Sequence, residues 1–214
     1  MFLPLVDILR CPRPHDDTWL VASIDRADGR DIVEGKLGCP ICSTEYPIHE
    51  GEVDFGGAGA LATYVAPREE DAVRLAASLD LTDPRAVALI QGSWGAHAPL
   101  IRSLSPAQLL LVDPPLGVTG GDGISIVRSA LVPVAAASVH GAAFDAQASE
   151  SMIASLARAV RGGGRLLGPA AAPIPAGFTE LARDGEVWVA GLAAGAAMSA
   201  PVPLTRRSSG EPRS

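Results

Sequence analysis

The tightest constraint on this chain is the stretch Gly38-Cys39-Pro40-Ile41-Cys42-Ser43-Thr44-Glu45-Tyr46-Pro47-Ile48-His49-Glu50-Gly51. A C-x-x-C turn aims two sulfurs at one point, which is half of the tetrahedral shell of a structural zinc site. An extended Tyr46-Pro47-Ile48 follows at once, whereas a redox C-x-x-C opens a helix, so metal binding is the better reading. The chain holds one further thiol, Cys11, in Cys11-Pro12-Arg13-Pro14-His15. Three cysteines cannot close a disulfide framework, and their spacing points to a reducing compartment.

The chain has 214 residues, enough for one ordinary domain and a small one, and 48% of them are hydrophobic. A net charge of −7 without a basic stripe argues against general nucleic-acid binding. No apolar run reaches the roughly 20 residues of a membrane span, and the first residues carry Asp7 and no signal-cleavage pattern. The expectation is a cytoplasmic protein with no membrane contact.

Residues 1–56 read as one unit. Trp19–Ile24 alternates like a strand, Asp28-Gly29 is a turn, and Asp31–Leu37 is the return strand that delivers the chain to the second knuckle. Gly56-Gly57-Ala58-Gly59 marks a boundary, with a linker over 57–68. A helix is expected over Glu69–Leu81, with acids at its start. Short apolar runs then alternate with helix-like segments: Ala86–Ile90, a helix through Leu104, Leu109–Val112, Ile124–Val127 and Gly141–Phe144. Ser149–Arg161 reads as a helix capped near Ser149 and stopped by Gly162-Gly163-Gly164, with a fifth strand from Arg165. Phe178–Ala182 and Glu186–Ala190 form a closing hairpin. Fully apolar strands between helices predict an α/β fold with a doubly wound parallel sheet over 69–192, covered on both faces. The tail over 193–214 is expected to be disordered.

Two resemblances sharpen this outline. Residues 1–56 resemble the zinc-ribbon family of methyltransferase-activating subunits, through Ile8-Leu9-Arg10-Cys11-Pro12, Gly35-Lys36-Leu37-Gly38-Cys39-Pro40-Ile41-Cys42, Tyr46-Pro47-Ile48 and Gly51. Residues from about Glu69 to Leu192 resemble a class I S-adenosylmethionine (SAM) methyltransferase with a Rossmann-like fold. The carrying segments are Ala157-Arg158-Ala159-Val160-Arg161-Gly162-Gly163-Gly164-Arg165-Leu166 and Leu131-Val132-Pro133-Val134-Ala135 followed by Ser138-Val139-His140.

The ribbon resemblance implies a structural zinc. Pro14 stands at the family's second cysteine and cannot bind metal, so His15 is the candidate fourth ligand beside Cys11, Cys39 and Cys42. His49 and Asp16 are weaker substitutes, and a ribbon that has lost its metal is the alternative. The methyltransferase resemblance implies SAM as cofactor, with Gln91, Gly92, Ser93, Gly95 and Asp113 as its candidate contacts. Glycines are needed there so that backbone can approach the cofactor. Trp94 falls at a glycine position in one register, while Ser93 and His97 replace glycines in the other. Asp113 ends the second apolar run, where the family's ribose-binding acid stands. Asp122 reads as a turn residue. His140 stands where the family has an acid at the end of strand four, and no catalytic residue is identified. Two functions follow: a SAM-dependent methyltransferase acting on a small molecule or protein, with its activator ribbon in cis, or a pseudo-methyltransferase used for binding or scaffolding. The ribbon is a candidate contact for a protein partner.

Overall fold

Consecutive residues of a strand face opposite sides of its sheet. Leu109 and Leu111 enter one layer of core while Leu110 and Val112 enter the other, all fully buried. Ala88 and Ile90 alternate with Leu89 in the same way. These strands therefore need cover on both faces, and the computed structural model, which describes residues 1–56, 62 and 64–195, shows what supplies it.

A 3₁₀ helix, Leu3–Ile8, opens the chain. An antiparallel meander follows: β1 (Val21–Asp28), β2 (Asp31–Gly38), β3 (Glu45–His49) and β4 (Glu52–Asp54). Then come α1 (Glu69–Ser78), β5 (Val87–Gln91), a 3₁₀ helix Gly92–His97, α2 (Ala98–Leu104), β6 (Gln108–Val112), β7 (Ile124–Arg128), β8 (Val139–Ala143), α3 (Glu150–Ala159), β9 (Val160–Pro169), β10 (Phe178–Arg183) and β11 (Val187–Leu192). The eleven strands among the described residues form one sheet in the order β1-β2-β3-β4-β7-β6-β5-β8-β9-β11-β10. The run from β4 to β9 is parallel, and β11 returns antiparallel beside β9. The order reverses at β5, whose neighbours β6 and β8 run out to opposite sides. That is the topological switch point where open α/β sheets bind ligands beyond the strands' carboxyl ends.

The meander joins this sheet through β4, where Val53 pairs with Val127 in parallel register. The meander and the parallel strands also share one core, in which Leu37, Tyr46, Ile48 and Val53 are continuous with Leu110, Val127 and Phe144. Among the described residues no helix is long and apolar enough to cross a membrane.

Three differences from the expected outline have physical causes. First, the crossovers from β6 to β7 and from β7 to β8 carry no helix, because Pro114, Pro115 and Pro133 and four glycines interrupt them. Residues 1–10 help to cover the exposed face instead: Met1, Leu5, Val6 and Leu9 share the core with α3. Their backbone is pinned as well. The Phe2 N–H donates to the buried Ser125 hydroxyl at 2.9 Å, the Arg10 N–H to the Pro133 carbonyl at 2.8 Å, and the Ala135 N–H to the Ile8 carbonyl at 2.8 Å.

Second, α3 ends at Ala159, and the three glycines lie inside β9 as a bulge between the Val139–Val160 and Gly141–Arg165 pairs. A Cβ on Gly164 would stand 2.6 Å from the His140 carbonyl, so close strand approach, not helix termination, requires glycine there. Third, His140 lies near the amino end of β8, not at its carboxyl end. The Gly57–Gly59 part of the predicted boundary and the tail beyond 195 lie outside the described residues.

The predicted cap of α3 is present: the Ser149 hydroxyl accepts from the Met152 N–H at 3.2 Å. Ser149→Ala is expected to lower stability by about 1 kcal/mol in urea titration.

Candidate functional site

Four side chains converge beside the turn between β2 and β3. Cys39 follows β2 and is buried, Cys42 closes the knuckle, and Cys11 and His15 come from the first loop. The knuckle is shaped by its backbone: the Ser43 N–H returns to the Cys39 carbonyl and the Cys39 N–H reaches the Thr44 carbonyl, both at 2.9 Å, with Ser43 at φ +56°. The ligand atoms of all four residues lie within 4.8 Å of one another. Cys11 Sγ is 3.8 Å from Cys42 Sγ, and Cys39 Sγ is 3.4 Å from His15 Nε2. A tetrahedral zinc with its usual bond lengths sets about 3.8 Å between two sulfurs and about 3.5 Å between sulfur and imidazole nitrogen. The group fits a metal ion of that size.

The surroundings prepare the donors. His15 Nδ1 lies 2.7 Å from the Asp16 carbonyl, the orientation that turns Nε2 toward the sulfurs, and this bond raises the imidazole pKa. The Thr44 hydroxyl, 3.2 Å from Cys42 Sγ, and the Thr44 N–H lower the Cys42 thiol to about 6, favouring the thiolate that binds metal. Burial pushes Cys11 up, partly offset by the Tyr46 hydroxyl 3.0 Å away. His49 is turned away onto Glu34 at 3.1 Å, and Asp16 contributes its carbonyl, so neither of the weaker substitutes is in the cluster.

At the switch point the structure gathers Gln91, the last residue of β5, with Gly92, Ser93 and Gly95 beyond it, and puts Asp113 one residue beyond β6. Gly92 makes the sharp turn, at φ +68°, yet the group that approaches it is a protein side chain: a Cβ there would overlap the Asp145 carboxylate. That carboxylate accepts the Ser93 N–H at 2.7 Å and the Gln147 N–H at 2.9 Å, while Gln91 Oε1 accepts the Asp145 N–H at 3.3 Å. Gly95 faces Pro114, whose Cβ would be 2.7 Å from an added Cβ.

The Pro114 loop is itself held in place. Arg128 donates to the Pro114 carbonyl at 2.7 Å and pairs with Glu52 at 3.3 Å. Asp113, 3% exposed and at φ +47°, accepts the Ser129 N–H at 3.3 Å. Its carboxylate therefore reaches toward the end of β7. Trp94 is half-buried against the α1–α2 layer, with its ring 5.7 Å from that of His97. His97 accepts the Arg68 N–H.

Asp145 is the residue that sequence inspection missed. The acid at the carboxyl end of β8 is Asp145, directly after the buried Phe144. Its signal was present in the sequence, because the apolar run Gly141–Phe144 ends at this aspartate. His140 faces the opposite edge, where it accepts the Val87 N–H at 3.2 Å, and burial lowers its pKa. Asp122 is exposed in the turn before β7, also away from the switch point, and its carbonyl accepts from Arg102.

No family model matches the chain, and no curated protein matches it. Similar solved structures include geranyl diphosphate methyltransferase in complex with SAM, at 17% identity and a TM-score of 0.39, covering 47% of this chain and 48% of that one. The antibiotic-resistance methyltransferase Kmr aligns at 16% identity and a TM-score of 0.40, over 58% of this chain and 93% of its own. A SAM-dependent methyltransferase from Aquifex aeolicus aligns at 12% identity and 0.41, over 56% and 87%. The chain spans about half the length of the geranyl diphosphate enzyme.

Proposed function

We propose that this chain is a methyltransferase-like module without cofactor chemistry, a binding or scaffolding protein whose ribbon segment is pinned by a structural zinc ion. The observation that carries this reading is that protein side chains pack directly against both switch-point glycines. Both turn glycines are buried, Gly92 against the Asp145 carboxylate and Gly95 against the Pro114 ring. A close backbone approach normally reserved for a cofactor is spent here on the protein's own side chains. The four-ligand shell leaves no open position for substrate or water, so the zinc would hold structure and not perform chemistry. The ribbon face, with Trp19, Val21 and Ile41 exposed, is the surface we assign to a protein partner.

Isothermal titration with SAM and with S-adenosylhomocysteine tests the reading. The expected result is no binding at millimolar ligand. Micromolar SAM affinity that disappears in Asp113→Ala would overturn it and restore an active methyltransferase.

A further inference from the structure

A cleft of about 320 Å³ opens between the first knuckle and the carboxyl ends of β4 and β7, apart from the switch point. Pro12 and Arg13 form one wall, Phe55 and Leu131 supply apolar surface, and Ser129 with Ala130 closes the end. Its volume is at the lower end of small-molecule pockets, which combine apolar walls with a few convergent polar groups.

Arg13 gives the cleft its character. It sits between the two ligands of its knuckle, near the Tyr46 hydroxyl, which lies against Cys11 Sγ. Arg10 nearby is neutralised by Asp17, but Arg13 forms no ion pair among the described residues. The remaining polar groups are the Ser129 hydroxyl, which accepts from Leu131 N–H at 3.4 Å and keeps its own proton to donate, and backbone at Ala130. Carboxylates border the cleft behind this lining: Asp54 accepts the Gly56 N–H and Asp113 accepts the Ser129 N–H. A carboxylate paired directly with the guanidinium gains at contact distance what the acids behind the lining take away, whereas a second negative charge adds only repulsion.

We propose that this cleft binds a small carboxylate with an apolar or aromatic body, Arg13 taking the carboxylate and Phe55 and Leu131 the body. The proposal does not depend on the crevice at β5 being closed. It does need the knuckle fixed, which the metal would ensure.

Amide chemical-shift titration of the full chain, as purified, tests it with phenylacetate, its neutral analogue phenylacetamide, and phenyl phosphate. Phenylacetate is expected to give saturable shifts at Arg13, Gly56, Ala130 and Leu131, with a Kd of about 1 mM or tighter. Phenylacetamide and phenyl phosphate should bind about tenfold more weakly or worse, and Arg13→Gln should weaken phenylacetate by at least about tenfold. Leu131→Asp should abolish the shifts without touching the knuckle. Metal content and Tm of both variants serve as folding controls. Absent or non-saturating shifts, equal binding of the amide, tighter binding of the phosphate, or unchanged binding in Arg13→Gln would each overturn the proposal. Carboxylate binding in a protein that also binds SAM would leave this cleft standing while removing the proposed function.

Discussion

Replacing Cys39 with serine is expected to strip the protein of its metal and lower Tm by roughly 10 °C, the scale of about 4 kcal/mol in a chain of this size. Cys39 is 3% exposed and directly follows β2, so it is the ligand most tightly built into the fold. A serine hydroxyl does not supply a thiolate, and the loss leaves Cys11, Cys42 and His15 crowded without the ion that would hold them. The effect should stay well below the roughly 10–16 kcal/mol of an isolated zinc-finger peptide. Leu37, Tyr46 and Ile48 remain packed in the shared core, and β4 stays paired with β7. His15→Ala, which keeps all three thiolates, should retain metal on purification but release it to a chelator. Elemental analysis and calorimetry read both results. A metal-free wild-type protein whose Tm does not move in Cys39→Ser would sink the zinc assignment.

Leu9→Ala is expected to cost about 2–5 kcal/mol, although the residue lies near the start of the chain. Leu9 is fully buried and forms a β-bridge with Val134, in the loop where a crossover helix was expected. Truncation would open a cavity over the strands, and the backbone bonds on either side would keep the segment from collapsing into it. Leu3→Ala is the control: Leu3 is 42% exposed, and its loss should fall within about 0.5 kcal/mol. Guanidinium unfolding of the two variants separates a structural cover from a loose leader. Equal, small effects would show that residues 1–10 do not carry the face.

What the sequence made legible follows from how local each signal is. The knuckle, the hairpin of β1 and β2 and the five apolar strands could be read because C-x-x-C spacing, Asp28-Gly29 and runs such as Leu109–Val112 are contained within a few residues. The cover by Met1–Leu9 was not legible, because a Pro-containing 3₁₀ helix has no amphipathic period to detect. The β4–β7 pairing escaped for a similar reason: Glu52-Val53-Asp54 is too short to announce a strand. At the candidate sites, the Cys11–His15–Cys39–Cys42 set was found from ligand chemistry, and the structure brings those four together. Gln91, Gly92, Ser93, Gly95 and Asp113 stand together at the carboxyl edge of the sheet, as the apolar runs before them implied. That Asp145 and Pro114 occupy the space beside the glycines is a tertiary fact, since each arrives from a different strand end.

The pairing of β4 with β7 also bears on how the chain is made. During synthesis β4 emerges long before Ile124–Arg128, so Val53 must wait for Val127 with its pairing edge bare. Non-local strand pairing of this kind is slow, and an unpaired edge is open to wrong partners meanwhile. A metal caught early by the two knuckles would fold the meander into one compact piece before its sheet exists. In the nascent chain the ion would then set the order of events, keeping a preformed edge ready for the strand that completes it.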